Sequence, residues 1–565
     1  MRLLQRFAEA RGWPAGLGAL AILLTLPALG VGLQFDDHLL YRGLSSTPEL
    51  PTALARAFVF MDGNPAHTQA QMDAGFFPWW ALPEGRVAFF RPLSALTHWL
   101  DLRLWPAQPV WWHAHSLLWF GLAAAVTAAL YRELLAAPAA GLAGLLYVLD
   151  DAHGYAAGWL SNRNILLAVV FGGLALLAHH RWRGRRQRWG AWLAPVSFTL
   201  SLLSAEAALA GLGYLLAYAL YLDPAPRRRR WLTLLPYLGV AGLWLGLYRL
   251  GGYGGWGTSY IDLTREPGQY ALAVLERAPV LLAAQLAYPP AEFYPFVTAL
   301  WGRAGWWLAA SLLTGWVVTR WRTSPAARFW LLGMGLALLL ASASLPANRL
   351  LFFAGWGAMG WLAQVLVEQP GLPRGWRAAA VGVHLGLAPL LLPIMAFSPK
   401  LLGDLAPALL SAPLAATAET VNVVSAPSAF HAQYLGVIRP AHGLSAPAGV
   451  RYLGAGLTAL TLTRSDARTL IAEPEGGFIT GFDAVFRGAG HPLALGEVVR
   501  LTGVRIEILA LTADGRPARV AFRFEAPLEA GRQQWLAWQA GRFVPFSVPA
   551  IGATVRVPAP QPFAP

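Results

Sequence analysis

The sequence contains no cysteine in its 565 residues. That excludes disulfide bridges and thiolate metal sites, so any part outside the cytoplasm must be held by its core alone. Charge is also scarce: Asp, Glu, Lys and Arg make up 13% of the chain, about half the share of a soluble globular protein. Lysine is almost missing, with Lys400 the single one among 43 basic residues. Positive charge is therefore carried by arginine, whose planar fork suits phosphate better than a lysine ammonium does. No internal repeat with a period of about 20–50 residues is present, which excludes solenoids and propellers.

Apolar and aromatic residues are abundant instead. Hydrophobic residues make up 56% of the chain, with 26 Trp and 26 Phe, and the mean hydropathy is +0.46. Segments of about 17–25 apolar residues, long enough to cross a hydrocarbon core, account for such a composition. About eleven are expected, near 15–33, 114–131, 139–150, 158–178, 190–204, 207–222, 231–249, 304–319, 328–345, 350–367 and 378–397, the third and fifth being short. The first is too long for the apolar region of a cleaved signal and lacks a small-residue cleavage site, so it is expected to be a retained helix.

The net charge of +14 invites a nucleic-acid reading, but its distribution excludes one. The arginines fall in short loops: Arg2, Arg6 and Arg11; Arg181, Arg183, Arg185, Arg186 and Arg188; Arg227 to Arg230; Arg320, Arg322 and Arg328; Arg374 and Arg377. With alternating spans these clusters share one side, the positive-inside pattern. The amino terminus is then cytoplasmic, and an odd number of spans places the carboxyl-terminal region outside. Asp36-Asp37, Asp150-Asp151, Arg163, Glu206, the 250–300 region and Arg349 fall together on the outer face.

Two outer loops are long. The first, 34–110, is dense in aromatic residues, as a membrane interface is. Its Leu93–Leu104 piece predicts an amphipathic helix on the outer surface, ended before Pro106. The second, 251–303, opens on a flexible run, Gly251 to Gly257, and carries an apolar piece, Glu276 to Tyr288, that lies on or dips into the membrane before Pro289-Pro290 breaks it. Past Pro399 the hydrophobic runs shorten and alternation sets in. Val504–Ala510, the turn Ala513-Asp514-Gly515-Arg516 and Val520–Phe524 read as a β-hairpin. Further strands are expected in 452–463, 469–473 and 534–546. The expected fold class is a polytopic α-helical membrane protein with a C-terminal extracytoplasmic all-β domain. Its expected parts are a transmembrane catalytic domain over 1–400, an Ala/Pro-rich linker over 401–425 and a β-sandwich-like domain over 426–565.

Several motifs occur in fixed order on the outer face: Phe35-Asp36-Asp37; Arg91-Pro92-Leu93, then Leu100-Asp101-Leu102-Arg103-Leu104-Trp105; Trp112-His113; His153, then Gly158-Trp159-Leu160-Ser161-Asn162-Arg163; Leu203-Ser204-Ala205-Glu206; and Asn348-Arg349-Leu350. Over roughly residues 1–370 this series resembles the GT-C glycosyltransferases, in particular bacterial, polyprenyl-phosphate-sugar-dependent relatives of the protein O-mannosyltransferases (glycosyltransferase family 39-like). The resemblance implies a bacterial inner-membrane enzyme whose catalytic base is Asp36 or Asp37. It implies a donor phosphate held by Arg91 and Arg163, with Arg349 as a third candidate. The implied partners are a polyprenyl-phosphate-linked sugar donor, a protein, lipid or glycan acceptor, and membrane lipids, with no nucleic acid. The sequence departs from the family pattern at Asp150-Asp151 in place of His-Pro, at Tyr155 in place of Glu, and at Ala205 in place of the Lys of Ser-Lys-Glu.

The residue types suit that chemistry on their own terms. A carboxylate takes the proton of the attacking acceptor hydroxyl, and cations stabilise the leaving phosphate. A single displacement inverts the anomeric centre without a second carboxylate as nucleophile. No cofactor is required by this scheme. Asp36, Asp37, His38, Asp150, Asp151 and His153 could nonetheless assemble a divalent-cation site if their loops met, and His113 and Glu206 are additional site candidates. Each has a plainer reading. The acidic pair could cap a helix, Arg91 could anchor its helix to headgroups, Arg163 could pair with Asp150 or Asp151, and Glu206 could cap a helix end. The competing functions are a transporter or flippase, which would place ionisable groups near the bilayer midplane, and a non-catalytic assembly protein.

Overall fold

Proline sets the start of several long helices. Pro92, Pro109, Pro267 and Pro325 all stand in the first turn of theirs, where the missing N–H costs no hydrogen bond and the fixed φ suits a helix. The computed structural model describes residues 2–47, 49–297, 300–319, 324–369 and 371–561. Arg320 and Arg322 lie outside those residues. The chain divides into two units: Met1–Phe58, Phe89–Gly252 and Glu266–Gly403 form the first, and Val59–Ala88, Tyr253–Arg265 and Asp404–Pro565 the second.

The first unit is helical, and helical structure overlaps each of the expected apolar segments. Among the described residues, four stretches are long and apolar enough to cross a membrane: Pro109–Leu134, Leu160–Arg183, Arg228–Leu250 and Arg374–Leu410. Trp13–Leu24, Ala137–Val148, Gly190–Leu202, Glu206–Tyr221 and Pro325–Ala341 are apolar but shorter. The first of these stops at Thr25, just before Pro27, and the second stops just before Asp150. Outward faces are apolar: Trp192 is 79% exposed and Leu250 88%. Leu243, Leu308, Leu312 and Leu390 are also exposed. Contiguous surface of that kind suits lipid, not water.

Inside, large aromatic residues tie helix to helix. The Tyr214 hydroxyl donates to the Phe353 carbonyl at 2.6 Å and the Tyr131 hydroxyl to that of Trp356 at 2.8 Å, while Trp356 Nε1 donates to Thr127 Oγ1 at 2.9 Å. Such bonds replace the water that a membrane interior withholds. Glycine permits the closest approach: a Cβ at Gly158 would overlap the Ala396 carbonyl, so the short helix Gly154–Gly158 seats directly on Ala388–Gly403. That contact fixes the turn from which Trp159 and Ser161 project.

The expected amphipathic helix forms over Pro92–Leu104, with its polarity reversed. Ser94, Thr97, His98 and Asp101 are buried, and Leu100 and Leu104 are exposed. A helix beside lipid turns its polar stripe to the protein interior, opposite to one bathed in water. The Glu276–Tyr288 piece is helical as far as Leu286, as the second half of the helix Pro267–Leu286.

The second unit is rich in sheet but is not the all-β sandwich expected. A six-stranded antiparallel sheet runs in the order Thr554–Val557, Leu460–Arg464, Thr469–Pro474, Pro517–Phe524, Val504–Leu511 and Val498–Leu501. The hairpin read from the sequence is its Val504–Leu511 and Pro517–Phe524 pair. A four-stranded sheet runs Arg542–Pro545, Gln533–Gln539, Thr420–Val423 and Gly449–Tyr452, with two of its pairings parallel. Parallel neighbours need a crossover, and the helices Ala429–Gln433 and Leu435–Ala441 provide it. The supposed linker 401–425 therefore contains a central strand. Segments of the two long loops also join this unit: Val59–Asp62, Arg86–Ala88 and Gly254–Trp256 form a three-stranded sheet. The glycine run expected to be flexible thus supplies a strand, its absent side chains easing close backbone pairing.

Candidate active site

The loop that follows the first apolar helix is bent sharply at Phe35, which holds φ 42° and ψ −119°. A non-glycine residue there is strained unless its surroundings over-determine it. Here the Phe35 ring packs edge-on to Trp159, with centroids 6.3 Å apart, and abuts Gly403, where any Cβ would collide with it. The Trp159 indole donates to the Gln34 carbonyl at 3.2 Å. The bend presents two adjacent carboxylates in opposite situations.

Asp37 is wholly buried and fully engaged. One oxygen accepts from the Ser161 amide at 2.8 Å and from the Ser161 hydroxyl at 2.5 Å, and the other accepts from the Gln34 amide at 3.0 Å. Burial pushes its pKa up to about 7, against the pull of those donors. Asp36 is partly exposed, and the charges acting on it are guanidinium groups. Desolvation pushes its pKa up to about 6, while Arg349 and then Arg91 pull it down. A carboxyl poised there is ionised at neutral pH yet basic enough to take a proton.

Arg91 caps the start of Pro92–Leu104 and is built in from three sides. Its Nε donates to Glu206 Oε2 at 2.8 Å, and its guanidinium lies 4.2 Å from the Phe89 ring centre and 5.2 Å from that of Phe58. The segments carrying the pair are stitched together: the Leu93 amide donates to the Leu203 carbonyl and Ser94 Oγ to the Ser204 carbonyl, each at 3.0 Å. Arg349, in the turn Asn348–Leu350, lies over Trp159 at 5.3 Å from the ring centre. Stacking on an aromatic ring uses a face of a guanidinium, and it is the in-plane N–H donors that can bind an oxyanion.

Arg163 does not belong to this group. It is wholly buried and pairs with Asp101 at 2.6 Å, and it donates to Ser116 Oγ at 2.8 Å, to the Trp112 carbonyl at 2.8 Å and to Thr97 Oγ1 at 3.3 Å. Asp101 also meets His115 Nδ1 at 2.6 Å. An arginine saturated in this way ties its helix to Pro92–Leu104 and has nothing left for a phosphate. The expected role of Arg163 as a phosphate ligand is withdrawn, and so is its alternative pairing with Asp150 or Asp151.

The remaining candidates lie in other surroundings. His113 Nε2 donates to the Gly32 carbonyl at 2.9 Å. Asp150 Oδ1 accepts from the Ala152 amide and its Oδ2 from Gln285 at 2.8 Å, and Asp151 accepts from the Tyr288 hydroxyl at 2.6 Å. His153 is buried among Phe352, Tyr147 and Phe120, with centroids 4.2, 4.4 and 6.1 Å away. Among the described residues no three His, Asp or Glu side chains converge as metal ligands would. Sequence reasoning gave no role to Ser161, Trp159 or Asp101. For Asp101 there was one signal, a carboxylate within the Leu-x-Leu-x-Leu run that it shares with Arg103.

No family model matches the sequence, and no curated protein does. Among solved structures, the chain is similar to the Archaeoglobus fulgidus oligosaccharyltransferase tethered with an acceptor peptide, with a TM-score of 0.37 and 15% identity over 78% of this chain. The match spans 64% of that protein's length. It is also similar to ArnT from Cupriavidus metallidurans bound to undecaprenyl phosphate, with a TM-score of 0.37 and 15% identity over 76% of this chain and 85% of that one.

Proposed function

We propose that the first unit is a membrane-embedded glycosyltransferase that moves a sugar from a polyprenyl-phosphate donor to an acceptor hydroxyl outside the cytoplasm. One observation carries the reading: Asp36 is a partly exposed carboxyl under the influence of two stacked arginines, Arg91 and Arg349. In the reaction, Asp36 takes the proton of the acceptor hydroxyl as its oxygen attacks the anomeric carbon. The bond from that carbon to the phosphate oxygen breaks, and its electrons stay on the phosphate. Arg91 and Arg349 hold the charge that develops there. One displacement gives inversion. Asp37 is assigned to positioning, because its oxygens are spent on holding the loop to Ser161.

The acceptor class is a hydroxyl of a protein, lipid or glycan. The arginine-rich loops support a cytoplasmic amino terminus in a bacterial inner membrane, with the second unit outside. The test is incubation of purified protein with a panel of polyprenyl-phosphate sugars, reading release of polyprenyl phosphate. Turnover by the wild type and its loss in Asp36→Asn are expected. Equal turnover by both would remove Asp36 from the role of base.

A further inference from the structure

The carboxylate of Glu206 is used on one side only. Its Oε2 grips Arg91 at 2.8 Å, whereas Oε1 is buried and, among the described residues, has no hydrogen-bond partner. A buried carboxylate oxygen without a donor is costly. Its position is not loose, because the Leu93 amide and the Ser94 hydroxyl, donating to the carbonyls of Leu203 and Ser204, fix the pair. The bare oxygen thus has a set place beside the guanidinium that faces the donor phosphate in the proposed reaction.

We infer that Glu206 Oε1 accepts a hydrogen bond from the donor sugar, at the hydroxyl on the carbon next to the anomeric centre. The inference rests on the function proposed above. The two oxygens of one carboxylate lie side by side, so a group on Oε1 sits next to whatever Arg91 binds. In a glycosyl phosphate the first hydroxyl beyond the phosphate-bearing carbon is the 2-hydroxyl. A hydrogen bond from that hydroxyl to a carboxylate strengthens as positive charge grows on the ring in the transition state. Glu206 thereby both positions Arg91 and selects donors that carry a 2-hydroxyl.

The two roles separate in one experiment. Full-length protein in lipid nanodiscs is given polyprenyl-phosphate glucose and its 2-deoxy counterpart, and kcat/KM is measured for each. The wild type should favour the 2-hydroxy donor by about 10- to 100-fold, the size of a hydrogen bond to a charged group. In Glu206→Ala that ratio should fall close to one. Glu206→Gln, which keeps the side-chain shape and an acceptor for Arg91, should give an intermediate ratio. If both variants slow the two donors equally and the wild-type ratio persists, Glu206 only positions Arg91 and the inference is overturned. A wild type that uses neither these donors nor their 2-epimeric mannose counterpart would overturn the proposed function instead.

Discussion

Arg163 and Asp101 form a wholly buried ion pair with nitrogen and oxygen 2.6 Å apart, joining the helix after Ser161 to the helix that begins at Arg91. The pair is a strut. It fixes two elements whose ends carry Ser161, bonded to Asp37, on one and Arg91, bonded to Glu206, on the other.

Removing one partner would leave the other charge uncompensated in the interior, a change that typically costs about 3–5 kcal/mol. Arg163→Ala and Asp101→Asn should each lower the melting temperature of the purified protein by several degrees. Arg163→Lys should rescue poorly, since one ammonium cannot serve Asp101, Ser116, Thr97 and the Trp112 carbonyl together. An Arg163→Ala protein of normal stability that fails only in donor binding would return Arg163 to the phosphate.

The adjacent carboxylates should separate in mutagenesis. Asp36→Asn should reduce turnover by about 10²–10⁴, the usual loss with a general base, and leave the melting temperature unchanged. Asp37→Asn should cost about 1–3 kcal/mol of stability by unbalancing the Ser161 and Gln34 bonds. Reversal of that pattern would exchange the two roles.

The pH dependence follows from the pKa of Asp36, raised to about 6. The base must be deprotonated, so kcat/KM should rise as pH increases through about 6 and level off above it. Arg349 pulls this pKa down, so Arg349→Gln should shift the limb to higher pH. A limb that moves to lower pH, or does not move, would show that Asp36 is not the titrating group.

Arg91→Lys keeps a charge but loses both the fork and the Nε bond to Glu206. The account expects a marked fall in kcat/KM for the lipid-linked donor with the acceptor KM nearly unchanged. Normal donor kinetics would leave Arg91 as an anchor of Pro92–Leu104.

What the sequence disclosed depended on how local the cause was. The hairpin at 504–524 was legible because alternation and an Asp-Gly turn lie within about twenty residues of chain. Asp36, Arg91 and Arg349 stand out in the sequence as ionisable groups beside apolar or aromatic segments. Arg163 was misread because its partner Asp101 lies on a separate helix and a buried ion pair leaves no periodic trace. The difference in hydrogen bonding between Asp36 and Asp37 was equally hidden, since Asp37 is held by Ser161, 124 positions away. The strand Thr420–Val423 was lost in an Ala/Pro-rich stretch, as its parallel partners 449–452 and 533–536 are not sequence neighbours.

The most direct measurement follows polyprenyl phosphate released by wild-type protein and by Asp36→Asn from the same panel of lipid-linked sugars, with the melting temperature of both recorded. The account predicts release and an inverted glycosidic product from the wild type, and a loss of about 10²-fold or more in an equally stable Asp36→Asn. Undiminished release by Asp36→Asn, or no release from any donor by a well-folded wild type, would contradict it.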